Sequence, residues 1–292
     1  MRGSAEGAGR MHFIKMHGIG NDYVYIDCFR ERVADPAALA VAVSRAHVGI
    51  GSDGLVLIGP SRCADLSMRV FNADGSEAEM CGNASRCVAK YAYERGLVPR
   101  TEMTLETRGG VRRLWLQADG GRVDAVRVDM GLPGFQPEAI GVRLPGNEVV
   151  RHIVEAAGQA WPLTCVSVGN PHAVTFVRDD PAALDLPTVG AAIETHPLFP
   201  HRINVEFVQV LAPDALRVRV WERGSGETQA CGTGACAALA AAVRCGLAAW
   251  HATLHLPGGD LRIAWEQADG HLYMTGPAAI VFEGEWLGGE GD

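Results

Sequence analysis

The sequence predicts an α+β fold built as two pseudo-symmetric halves, each a curled mixed β-sheet around a central helix. Three observations predict it. The segment from Met68 to Gly82, which contains Cys81, aligns without a gap to the segment from Val218 to Gly232, which contains Cys231. Arg69, Val70, Glu77, Cys81 and Gly82 match Arg219, Val220, Glu227, Cys231 and Gly232, and Gly96-Leu97 matches Gly246-Leu247, all at one offset of 150 residues. The stretch Ala235 to Val243 is apolar almost all round. A helix without a polar face is normally enclosed, so many short strands must wrap it. Finally, no regular βαβ alternation is visible, which argues against a Rossmann architecture.

The elements follow in chain order. Residues 1–10 contain no apolar core and read as an N-terminal extension, disordered or a remnant of cloning, before a start at Met11; they do not form a signal peptide. The first half spans 11–130. It opens on a Gly-rich turn, His17 to Asp22, and continues in a strand, Tyr23 to Asp27, marked by β-branched and aromatic residues. Pro36 to Val48 reads as a helix with Asp35 as N-cap. Leu55–Ile58 and Ser67–Phe71 read as strands, and Asn72 to Gly75 as a turn. A helix starts near Gly82 and runs to about Glu94, stopped by Gly96. Strands are expected at 102–107, 112–117 and 122–129. The second half, 131–276, repeats this order. Cys165 to Val177 mirrors the first turn and strand, with Gly169-Asn170 opposite Gly20-Asn21. Pro181 to His196 is expected as helix, 204–211 and 216–221 as strands, and Gly232 to Cys245 as the second central helix. The last strand, about 277–283, is expected to cross back, so that 277–292 joins the first half.

Composition narrows the function. Among 292 residues, 48% are hydrophobic and 21% charged, the balance of a soluble globular protein. A net charge of −8 and the lack of a basic stripe interleaved with aromatics argue against a nucleic-acid partner. The longest apolar run is far shorter than a bilayer span, so no membrane partner is expected. Eight cysteines in a chain of this length with no export signal point to a reducing cytoplasm and not to a disulfide framework. Cys81-x5-Cys87 and Cys231-x4-Cys236 lack tight metal-ligand spacing and paired histidines, so no metal is expected. No phosphate loop or dinucleotide fingerprint is present, and no cofactor is expected.

Cys81 and Cys231 each precede a glycine at a predicted helix N-terminus. First-turn N–H groups there have no intrahelical acceptor, and the helix dipole presents positive potential. Such a position lowers a thiol's pKa and binds a carboxylate. One thiol per repeat suggests two sulfurs facing each other across a cleft, one abstracting a proton from a carbon and the other delivering a new one to its opposite face. Cys28, Cys63, Cys87, Cys165, Cys236 and Cys245 read instead as small packed hydrophobes.

These segments resemble the diaminopimelate epimerase family. The resemblance rests on Lys15 to Asp22, Asn72 to Ser76, Met80 to Cys87, Gly169 to His172, Glu222 to Cys236 and Leu256 to Gly259, and it covers about Met11 to Glu283. It implies a pyridoxal-independent isomerase that interconverts LL- and meso-diaminopimelate on the route to lysine and peptidoglycan precursors, and it makes a homodimer plausible. Residue by residue, it implies that Cys81 and Cys231 are the acid/base pair. Gly82, Asn83, Gly232 and Thr233 would offer backbone donors to the reacting carboxylate. Asn21, Asn72, Asn170, Asn204, Glu222 and Arg223 would hold the substrate, Arg223 engaging the distal carboxylate bidentately. His172 and Glu222 would tune thiol protonation. The chain departs from the family pattern at Ala84, often Gly, and at Gly54, where some members use Gln; Gly54 is therefore left out of the site. Proline or hydroxyproline racemases are the rival reading, but they place His where this chain has Asn83 and leave Glu222-Arg223 unexplained. Isomerases of the phenazine-pathway type lack the cysteine pair. A non-catalytic amino-acid binder or a thiol redox switch is the alternative from another class.

Overall fold

The computed structural model describes residues 10–288; the extension expected at 1–10 therefore lies outside the described residues except for Arg10, which pairs with Glu285 at 3.3 Å. The chain divides into two compact units. One contains the chain up to Gly18, Asp22–Val126, and the chain from Pro277 onward; the other contains Ile19–Asn21 and Arg127–Gly276.

In the first unit, strand Met11–Gly18 pairs antiparallel with Ala279–Trp286, with an irregularity between Lys15 and Met16. Strand Asn21–Asp27 runs parallel to Gly54–Gly59, which is antiparallel to Leu66–Asn72. On the edge away from Gly54–Gly59, Leu66–Asn72 takes Glu102–Thr107 parallel at its start and the short strand Glu77–Ala78 antiparallel near its end. Glu102–Thr107 then turns antiparallel into Gly110–Asp119. Helix α1 is Pro36–Ser44, capped by the Asp35 carboxylate on the Ala38 N–H at 3.0 Å. It is shorter than the expected 36–48. Arg45 turns extended, and the N–H groups of Ile50 and Gly51 come back onto the Val43 carbonyl, which closes the helix. Helix α2, Gly82–Glu94, is buried along nearly its whole length. It packs on the strands Met11–Gly18, Leu66–Asn72 and Gly110–Asp119.

The second unit repeats the scheme. Strand Gln159–Ser167 is antiparallel to His152–Ala156 and to Pro171–Val177. Pro171–Val177 runs parallel to Asn204–Ala212, which is antiparallel to Ala215–Glu222. Ala215–Glu222 takes Gly226–Thr228 antiparallel and His251–Leu256 parallel, followed by Gly259–Trp265 and Leu272–Gly276. Short helix α3 is Pro137–Ile140 and α4 is Leu186–Glu194. The single helix expected over 181–196 is divided: Pro181–Ala183 makes one 3-10 turn, and α4 restarts after Asp185. Pro187 has no N–H to give to Ala183, so a continuous helix would lose its hydrogen bond there. Helix α5, Gly232–Arg244, is enclosed by the surrounding strands, as its apolar circumference predicts.

The matched residues of the repeat now have reasons. Arg69 reaches Glu77 through Nε and Nη2 at 2.8 and 3.1 Å, and Arg219 reaches Glu227 the same way at 2.8 and 2.8 Å. Each fork ties the strand before the cysteine turn to the strand that leads into it. Gly96 and Gly246 both take positive φ, 71° and 70°. They close α2 and α5 with identical bonds: Gly96 N–H to Tyr93 O and Leu97 N–H to Ala92 O, then Gly246 N–H to Val243 O and Leu247 N–H to Ala242 O. These are Schellman caps, which need a residue comfortable in the left-handed region. No helix among the described residues is long and apolar enough to cross a membrane.

Candidate active site

Each cysteine is the N-cap of its helix. Cys81 is extended (φ −137°, ψ 114°) and its Sγ accepts the Ala84 N–H at 3.4 Å. Cys231 is extended (φ −114°, ψ 110°) and its Sγ accepts the Gly234 N–H, also at 3.4 Å. Sulfur here takes the place of the oxygen that usually caps a helix. Both sulfurs therefore stand over the positive end of a helix, next to the first-turn N–H groups of Gly82 and Asn83 or of Gly232 and Thr233. Ala84 starts α2 without disturbance, since its own N–H makes the cap.

Around Cys81 the turn is braced by Arg86, the largest fully buried side chain of the first unit. Its Nη1 donates to Asn83 Oδ1 at 2.9 Å and its Nε to the Pro277 carbonyl at 3.1 Å. Asn83 is itself buried. Behind the turn, burial pushes the Cys87 thiol up to about 11, and burial together with Cys87 raises Tyr25 well above its ordinary value. Asn72 sits in its own turn and donates to Ser76 Oγ at 2.9 Å. At Gly54 an added Cβ would lie 2.0 Å from the Phe71 carbonyl oxygen, so this backbone accepts no side chain there.

Around Cys231 a continuous chain of hydrogen bonds runs into the core. Thr233 Oγ1 is 3.5 Å from Cys231 Sγ, and Asn170 Nδ2 donates to Thr233 Oγ1 at 3.2 Å. Asn170 Oδ1 is 2.9 Å from His172 Nε2, and His172 Nδ1 is 2.7 Å from Glu206 Oε1. His172 and Glu206 are completely buried. Thr233 Oγ1 accepts from Asn170 and keeps its own hydroxyl hydrogen available to the sulfur. Gly234 leaves room for this arrangement: a Cβ would lie 2.8 Å from Glu206 Oε1 and 3.3 Å from Cys231 Sγ. Glu222 accepts from Thr228 Oγ1 at 2.5 Å. Asn204 spends its side chain on backbone, donating to the Pro171 carbonyl at 2.7 Å and accepting the Arg223 N–H at 2.9 Å. Arg223 Nη1 touches the His201 carbonyl at 3.4 Å. Asn21 opens its strand directly after the Ile19-Gly20 turn, which packs on the Pro257-Gly258 turn. Gly258 makes that possible, since a Cβ there would sit 1.9 Å from the Ile19 carbonyl oxygen.

One expectation is overturned. A helix N-terminus by itself predicts a lowered thiol pKa, yet Cys231 lies well above the ordinary thiol range. Burial is the main cause, and the Glu222 and Glu206 carboxylates push the same way. The bonds from Thr233 and from the Gly234 N–H oppose them and do not prevail. Burial and the two carboxylates thus favour the thiol form of Cys231. Glu222 is raised as well, mainly by burial, with Thr228 and His172 pulling it down. Glu206 is raised by burial against the opposing pull of His172. Sequence reading misses Glu206; the one available signal is a carboxylate inside the apolar strand Asn204–Ala212.

The family model for diaminopimelate epimerase matches residues 13–135 and 164–281. The chain belongs to the diaminopimelate epimerase family. A diaminopimelate epimerase of Acetivibrio thermocellus is 52% identical over 275 residues, covering 94% of this chain and 98% of its own. That of Methanococcus maripaludis is 48% identical over 275 residues, covering 94% and 99%. Among solved structures, a hydroxyproline epimerase from Agrobacterium vitis superposes with a TM-score of 0.72 at 16% identity, covering 97% of this chain and 92% of its own. A phenazine biosynthesis protein from Bacillus anthracis superposes at 0.66 with 14% identity, covering 95% and 99%. These last two likenesses are of fold alone. The diaminopimelate epimerase relatives share about half of all residues, so the racemase resemblance does not compete with them.

Proposed function

We propose that this member of the diaminopimelate epimerase family interconverts LL- and meso-diaminopimelate by two-thiol acid/base catalysis, without a cofactor. The observation that carries the mechanism is that both cysteines cap a helix through sulfur at equivalent places in the repeat. One thiolate removes the α-proton from one face of the substrate carbon; the other thiol returns a proton to the opposite face, inverting the centre. Cys231, raised by burial and by Glu222 and Glu206, suits the proton-donating role; Cys81 then takes the proton. In the reverse direction Glu222, its pKa raised by burial, receives the Cys231 proton. The α-carboxylate is held by first-turn N–H groups of Gly82, Asn83, Gly232 and Thr233, which also stabilise charge as it develops on the carboxylate. Asn21, Asn72, Asn170, Asn204, Glu222 and Arg223 form the remaining contacts. Asn170 and Asn204 act through what they position, and Arg223 takes the distal carboxylate. His172 holds Asn170 through Nε2 and pairs with Glu206 through Nδ1. The setting is the cytoplasm, in lysine and peptidoglycan precursor synthesis, and the working form is a homodimer.

Reduced protein incubated with LL-diaminopimelate in D2O tests this reading. An epimerase places solvent deuterium on the reacting α-carbon and yields the meso isomer. Absence of exchange, with binding intact, would leave an amino-acid binder. Exchange of proline and not of diaminopimelate would leave a racemase. Replacing either Cys81 or Cys231 with Ala is expected to abolish exchange in a folded protein.

A further inference from the structure

Glu194 closes α4 and is only 5% exposed, yet it carries a carboxylate. Three donors converge on it. Trp221 Nε1 reaches Oε2 at 2.7 Å, the Gly224 N–H reaches Oε1 at 2.9 Å, and Arg202 Nη1 reaches Oε1 at 3.4 Å. Trp221 and Gly224 immediately bracket Glu222 and Arg223 in the chain. From the other side Asn204 Oδ1 accepts the Arg223 N–H at 2.9 Å and is itself anchored on the Pro171 carbonyl. Two successive backbone N–H groups of this turn are thus pinned by two side chains, one from α4 and one from strand Asn204–Ala212. The indole is pressed into place as well. Gly190 lies one helical turn before Glu194, and a Cβ there would be 2.6 Å from the Trp221 ring. The ring therefore packs closely on α4 at Gly190 with its N–H directed at Glu194.

We infer that Glu194 is a positioning residue that fixes the Glu222-Arg223-Gly224 turn, and through Arg223 selects substrates with a second amino-acid head. This rests on the reading of Arg223 given above. The chemistry requires a carboxylate. Oε2 faces the indole N–H while Oε1 faces the Gly224 N–H and Arg202, and only an acceptor at both positions satisfies them. Glutamine would turn an NH2 group against either the indole N–H or the Gly224 N–H, releasing one end of the clamp.

The test is a double-mutant cycle with E194Q, R223A and the pair, measuring kcat and KM for LL-diaminopimelate, with folding checked by thermal melting. E194Q is expected to raise KM about tenfold while kcat changes less than about threefold, and the double variant is expected to be no worse than R223A alone, because both changes act on one interaction. Additive losses, an unchanged KM in E194Q, or a loss confined to kcat would overturn the inference. An unchanged KM in R223A would instead sink the assignment of Arg223 itself, so the two failures are distinguishable. Should E194Q not fold, Glu194→Asp keeps both acceptor oxygens but withdraws them by one methylene. It is expected to give the same KM-selective loss, and an unchanged KM in folded E194D would overturn the inference equally.

Discussion

Replacing Thr233 with Val isolates the last link of the chain that ends on Cys231. The substitution keeps the β-branch and the volume but removes the hydroxyl 3.5 Å from the sulfur. That hydroxyl accepts from Asn170 and donates to sulfur, so it favours the thiolate and opposes the upward push of burial, Glu222 and Glu206. A net hydrogen bond of about 0.5–1.5 kcal/mol, at about 1.4 kcal/mol for each pH unit, gives a further rise of roughly half to one unit in the Cys231 pKa. Asn170 Nδ2 also loses its acceptor, at a stability cost of about 1 kcal/mol. The assay is a pH titration of ultraviolet thiolate absorbance in a Cys81→Ser background, comparing Thr233→Val with its parent so that the other thiols cancel. The alkaline midpoint moves upward. A midpoint that stays put, or moves down, would show that the chain from Glu206 does not reach the sulfur and that the physical account of this thiol is wrong.

Two further outcomes follow from the same neighbourhood. Gly234→Ala drives a methyl to within 2.8 Å of Glu206 Oε1; overpacking of about 1–3 kcal/mol outweighs a helix-propensity gain of about 1 kcal/mol, so urea unfolding shows a net loss of up to about 2 kcal/mol with reduced turnover. A more stable, fully active variant would contradict this. Cys231→Ser tests the thiol's linkage to stability. Because the folded-state pKa is raised, the thiol's contribution is complete below the unfolded value of about 8.5 and is lost as pH rises above it, by up to about 1.4 kcal/mol per pH unit. The wild type therefore loses stability between about pH 8.5 and its folded pKa in excess of the serine variant; parallel stability curves would refute the raised pKa.

The fold class can be read from the sequence because its two strongest signals are local. The matched residues around Cys81 and Cys231 include Arg–Glu pairs that form the same fork twice, and Gly96 and Gly246 cap their helices with the same bonds. Helix α5 declares its burial by lacking a polar face. The starts of α2 and α5 at Gly82 and Gly232 are visible for the same reason. What escapes depends on contacts distant in sequence. The direction of the Cys231 pKa is set by burial and by carboxylates on strands ending in Glu222 and containing Glu206, against which the bonds from Thr233 and the Gly234 N–H do not prevail. The Asn204 side chain also ties the backbone of Pro171 and Arg223, a link that only the parallel register of Pro171–Val177 with Asn204–Ala212 creates. Glu194 carries no local sign of its function, since the Trp221 and Gly224 groups it clamps lie 27 and 30 residues away. The helix expected over 181–196 ignores Pro187, a signal that is present and outweighed by the apolar pattern.

The most direct test of the central claim follows where solvent hydrogen goes at the earliest stage of reaction in D2O. Two separate sulfurs, one removing and one delivering, put deuterium into the newly formed epimer while unreacted starting isomer recovered at the same moment stays unlabelled. A single group working on both faces would label starting isomer and product together, and that result would contradict the two-thiol account.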